Sequence, residues 1–151
     1  MDSRKYLKKE SLVSFFINSF LSLLFLYLVF YPIDSLPVWG VDGLLIDSVI
    51  QGFAIGLMAS LVPTLITSKR IASGKLNGLT MRDNWLLHHY IIVSLLFALS
   101  SAVLALTINF VGFILLDVDS MSFNSALVFK VFFGGVLGSL VTYQSLPILK
   151  K

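Results

Sequence analysis

The chain has 151 residues, none of them cysteine, with 57% hydrophobic residues before its ten glycines are added and a formal net charge of +3. A soluble domain carries about 45–50% apolar residues with glycine included. The excess lies in four continuous runs that a domain of this length could not hide from water, which excludes a soluble globule. The lack of cysteine excludes disulfides, thiol redox chemistry and thiolate metal sites.

The first run follows Arg4, Lys5, Lys8 and Lys9 and covers about 11–30. It is long enough for the ~30 Å hydrocarbon core. It is too long for a signal-peptide core and no small-x-small cleavage pattern follows, so it reads as a retained span. Asn18, Ser19 and Ser22 share one face, and a polar stripe in hydrocarbon faces another helix. Turn residues from Asp34 to Gly43, with Trp39 among them, suit a short loop at headgroup depth.

The second span is expected at about 44–67, with Gly52, Gly56 and Ser60 four residues apart. Such a strip lets another backbone approach closely. The basic loop that follows carries Lys69, Arg70, Lys75 and Arg82, and Thr80 with Asp83 has the spacing of a capping box, which predicts a helix start near Thr80. The third span covers about 86–116, on the order of 45 Å at ~1.5 Å per residue, so it tilts or begins in the interface. Trp85, His88 and His89 lie at that interface. The acidic loop around Asp117 and Asp119 is very short, which predicts that spans three and four are antiparallel neighbours. The fourth span, about 123–149, carries a second small-residue strip with Gly134 and Gly138. GLMASLV at 56–62 and GVLGSLV at 135–141 hint at two duplicated hairpins.

Every Lys and Arg except Lys130 falls in the N-terminal tail, the middle loop or the C-terminus. The positive-inside rule then predicts an all-α, antiparallel four-helix transmembrane bundle with both termini cytoplasmic. These runs are too long and too continuously apolar for barrel strands.

Lys130 stands about two turns into the fourth span, and an intramembrane charge marks a functional site by default. Asp47 and Gln51 enter the second span from the same side. If helices two and four pack through their glycines, either could meet Lys130. Three readings stand: a structural ion pair or a lysine snorkelling to the interface, a substrate or ion contact, and lipid recognition. The adjacent histidines His88 and His89 point about 100° apart and do not make a metal site. They read as lipid-phosphate contacts or, more sharply, as a quinone contact. No residue pattern supports a metal, a cofactor, a P-loop, serine hydrolysis or nucleic-acid binding.

The basic tail before LVSFFINSFLSLLF, then LPVWGVDGL and LVPTLITSKRIASGKL, resembles uncharacterised four-span bacterial inner-membrane proteins labelled permease-like, over about the first 80 residues. The resemblance implies a multi-pass inner-membrane location and no substrate. The chain departs from the small multidrug transporters, whose essential glutamate lies within the first span: here Glu10 precedes the span and Asn18 is inside it. Three function classes follow. The first is permease-like transport as an oligomer. The second is an accessory or regulatory subunit in a homo-oligomer or larger complex, and the third is a lipid- or quinone-interacting enzyme. Polar residues that all pair internally favour the second; a wet cavity reaching Lys130 or Gln51 favours the first. Membrane lipids are the expected partners in every case.

Overall fold

The structure, a computed structural model, describes residues 3–81 and 89–146 and the backbone of 148–150. Among these residues are four helices long and apolar enough to cross a membrane: α1 (Ser3–Phe30), α2 (Leu44–Ala72), α3 (Tyr90–Leu115) and α4 (Phe123–Ser145). Four short strands, β1 (Ser35–Pro37), β2 (Leu79–Met81), β3 (Ser120–Ser122) and β4 (Ile148–Lys150), pair as two antiparallel ribbons, β1 with β3 and β2 with β4.

The helix ends depart from the edges of the apolar runs, each for a local reason. α1 begins at Ser3 rather than near 11, because its buried face continues below the apolar run through Tyr6 and Glu10. α2 continues through Pro63 to Ala72 rather than ending near 67. It stops where Gly74 takes a left-handed conformation (φ +71°), which a side chain would resist. Thr80 itself does not start a helix, and Asp83 and the rest of 82–88 lie outside the described residues. Thr80 lies in β2, opposite Leu149 of β4. α4 accordingly ends at Ser145, short of 149. Leu146 is already extended (φ −79°, ψ 105°), as steric conflict with a following proline favours.

Helix neighbours also differ from the expectation. α3 and α4, although joined by a short loop, barely touch. α1 packs along α4, α2 along α3, and α2 meets α4 between the two pairs. The small-residue strips decide this, because close approach needs a missing side chain. A Cβ at Gly56 would lie 2.7 Å from the Phe97 carbonyl oxygen, and one at Gly52 2.8 Å from that of Ser101, so α2 spends its glycines on α3. A Cβ at Gly138 would lie 2.6 Å from Asn18 Cγ, and one at Gly135 2.8 Å from the Phe15 ring, so α4 spends its glycines on α1. The two strips therefore do not pack on one another. One position recurs on exchange of hairpins: Gly56 sits against Phe97 and Ser101 as Gly135 sits against Phe15 and Ser19.

The burial pattern is inverted relative to a soluble protein. On α1 the row Tyr6, Glu10, Ser14, Asn18, Ser22, Leu26 and Phe30, each four apart and so on one face, is buried. Phe16, Phe20 and Leu28 are exposed. Apolar clusters close the two ends. At the β1–β3 end Leu36 and Val38 pack with Leu26, Phe30, Leu44 and Phe113. At the β2–β4 end Leu79 packs with Tyr6 and Leu146.

Candidate functional site

The buried row of α1 and the facing residues of α2 and α4 form a polar column inside the bundle. At the β1–β3 end Lys130 of α4 makes an ion pair with Asp47 of α2. Asp47 belongs to the first turn of α2, where the helix dipole favours a negative charge. Lys130 is 2% exposed, so the ammonium turns into the bundle and does not snorkel along its outer face. Its Nζ also lies 5.7 Å from the centroid of the Phe30 ring, within cation–π range.

One turn along α2, Gln51 Nε2 donates to Ser22 Oγ at 2.5 Å and more weakly to the Lys130 carbonyl at 3.4 Å. Gly134 makes room for this contact, since a Cβ there would fall 2.8 Å from Gln51 Nε2. Gln51 thus meets the backbone of Lys130 and Asp47 meets its charge, without the glycine-to-glycine packing of α2 and α4 that the sequence suggested.

The column continues down α1. Ser22 Oγ donates to the Asn18 carbonyl (2.7 Å), and Asn18 Nδ2 donates to the Ser14 carbonyl (2.8 Å) and Ser14 Oγ (3.0 Å). Ser14 Oγ donates across the seam to the Gly138 carbonyl at 3.0 Å. Thr142 Oγ1 lies 2.8 Å from both Ser14 Oγ and the Ala59 carbonyl oxygen, and its single proton serves one at a time. Ser60, expected as part of a packing face, is buried and donates to the Gly56 carbonyl of its own helix at 2.7 Å.

A second charged cluster lies at the β2–β4 end. Arg70 Nη1 donates to Glu10 Oε1 at 2.6 Å and to the Tyr6 hydroxyl at 3.2 Å, and that hydroxyl is 3.0 Å from Thr67 Oγ1. Glu10 is 9% exposed. Sequence reasoning assigned Arg70 to a loop and Glu10 to the region before a span, and gave neither a partner. The available signal was the four-residue spacing of Tyr6, Glu10, Ser14, Asn18 and Ser22, which extends the recognised stripe beyond the apolar run.

The column is well bonded but incomplete. Asn18 Oδ1 and Gln51 Oε1 are buried acceptors without a partner among the described residues. Of the interfacial residues, Trp39 donates through Nε1 to Asp119 Oδ1 at 3.0 Å and sits edge-on to Phe110 and Phe113. His89 immediately precedes α3, and its carbonyl accepts from Val93 N at 3.0 Å. Trp85 and His88 lie outside the described residues. Among the described residues no group of three or more acidic or histidine side chains is arranged to hold a metal ion.

Two open grooves flank the column, one between α1 and α2 and one between α3 and α4. Neither is lined by Lys130, Asp47 or Gln51. No family model, curated protein or solved structure matches the chain.

Proposed function

We propose that this chain is an accessory or regulatory membrane subunit, a rigid helical scaffold that assembles as a homo-oligomer or within a larger membrane complex and does not carry a solute by itself. The observation behind this reading is the closure of the charge pair: Lys130 keeps 2% exposure and is matched by Asp47. A charge used for solute handling normally meets a water-filled cavity. Below the pair, hydroxyls and amides bond within the bundle, to backbone carbonyls and to one another. In this reading the bundle is antiparallel and lies in a bacterial inner membrane with both termini cytoplasmic, the orientation that gathers Lys and Arg on one side.

Cysteine scanning tests both parts, because the parent has no cysteine. Gln51→Cys is expected to resist a small water-soluble thiol reagent from either side. Ser35→Cys and Ser120→Cys should react in intact cells or spheroplasts, and Ser73→Cys only after permeabilisation. Ready labelling of Gln51→Cys would reveal a wet pathway and sink the scaffold reading. The reverse pattern at the three loop sites would overturn the orientation.

A permease-like reading rests on a different observation: the unpartnered Asn18 and Gln51 oxygens offer acceptors to a solute or to water. The resemblance of the first 80 or so residues to permease-like proteins favours it as well.

A further inference from the structure

We infer that the groove between α1 and α2 is a binding site for one anionic phospholipid, with an acyl chain in the groove and the phosphate on Arg70. The groove holds a cavity of about 140 Å³ and is lined along its length by Val13, Ile17, Leu21, Met58, Val62 and Ile66. It begins at Glu10 and reaches Leu21. At ~1.5 Å per residue that is about 16 Å. Half of the ~30 Å hydrocarbon core is about 15 Å, so the groove spans one leaflet and matches one acyl chain in length.

Charge selects the headgroup. Where the groove opens at Glu10, the Arg70 side chain is 45% exposed while the Glu10 side chain is 10% exposed. Both Arg70 hydrogen bonds come from Nη1, which leaves Nε and Nη2 without a hydrogen bond among the described residues. A guanidinium with free N–H groups is suited to a phosphate. Lys9 and Lys69, each next in sequence to a member of the ion pair, are exposed, so the cations outnumber the Glu10 carboxylate. Glu10 and Tyr6 then act as positioning residues that aim the guanidinium at headgroup depth. The α3–α4 groove, although larger at about 430 Å³, has no charged residue among those lining it, so nothing there selects an anionic headgroup.

The test is native mass spectrometry of the full chain in mild detergent doped with phosphatidylglycerol or phosphatidylcholine. One phosphatidylglycerol per chain should be retained in preference to phosphatidylcholine. Arg70→Gln should lower that retention about tenfold, the equivalent of ~1.4 kcal/mol. Met58→Trp, which fills the groove and leaves the ion pair alone, should abolish it. Leu140→Trp, which fills the other groove, should leave it unchanged. Glycerol phosphate at millimolar concentration should not displace the lipid, because it lacks the chain. Equal retention of the two lipids, or retention that survives Met58→Trp, would overturn the proposal. Displacement by glycerol phosphate would overturn it too, by assigning the site to free phosphate esters.

Discussion

The α1–α4 and α2–α3 seams bring helices equally close and fill the space differently. Across α1–α4 the glycines face hydroxyls and amides, and the contact is bonded: Ser14 Oγ reaches the Gly138 carbonyl at 3.0 Å and Ser19 Oγ that of Val131 at 3.1 Å. Across α2–α3 Gly52 and Gly56 face Ala102, Ala105 and Ser101, and among the described residues no side-chain hydrogen bond crosses. On the buried face of α3, Asn109 has neither amide atom partnered among the described residues. In lipid, helices gain little from merely being apolar, so close packing and hydrogen bonds must hold them together. One seam uses both and the other uses packing alone. The difference teaches where chemistry can reside: the polar column runs along the bonded α1–α4 seam and takes Asp47 and Gln51 from the inner face of α2, while the α2–α3 contact serves as a wall.

Four tests by substitution would sharpen or break that contrast. The largest effect is expected at Lys130. Lys130→Met leaves the half-buried Asp47 carboxylate unpaired, and breaking a fully buried pair costs about 3–5 kcal/mol. Unfolding in detergent should show a loss near the low end of that range, and Asp47→Asn in the same chain should recover much of it. A double-mutant cycle with no coupling would remove the ion pair as a structural element.

Packing comes next. Gly56→Leu and Gly138→Leu should each lose about 1–3 kcal/mol, read as a lower melting temperature or as dissociation of an assembly. Gly56→Ala should hurt more than Gly134→Ala. At Gly56 the obstacle includes the Phe97 backbone at 2.7 Å, whereas at Gly134 it is the ends of the Ser22 and Gln51 side chains. Equal melting of all these variants and the parent would mean that neither seam depends on its small residues.

The third effect has the opposite sign. Asn109→Leu removes two unsatisfied groups at similar volume, and burying such a group costs about 1–3 kcal/mol. The variant should melt higher than the parent. A lower melting temperature would indicate a bound water or partner at Asn109 and would make the packed seam a polar one. The smallest change is expected from Arg70→Gln. The Arg70 side chain is 45% exposed and a glutamine amide can still donate to Glu10, so the loss should stay at about 0–1 kcal/mol even where lipid retention falls.

Much of this arrangement could be read from residue order, and each failure has its own physical cause. Four long helices follow from the apolar runs, and the encounter of Lys130 with Asp47 or Gln51 follows from their comparable depth on helices two and four. Helix neighbours did not follow, because loop length constrains only which ends are close. The glycines of α2 and α4 were visible, but a small-residue strip does not name the surface that fills it. Glu10 and Arg70 were misplaced because hydropathy marks where hydrocarbon begins and not where a helix begins. Both residues lie on helix beyond the apolar run, and only the four-residue rhythm through Tyr6 and Glu10 carries that information. The two ribbons left little trace in the sequence, since three-residue strands have almost no periodicity to detect.

The pairing of α1 with α4 also dictates an order of events during synthesis. The first helix to enter the bilayer is matched to the last. Until Val131, Gly138 and Thr142 arrive, the hydroxyls of Ser14 and Ser19 lack their partners across the seam. Contacts so distant in sequence form late and slowly. Half-made chains therefore carry an exposed polar stripe through hydrocarbon for most of their translation.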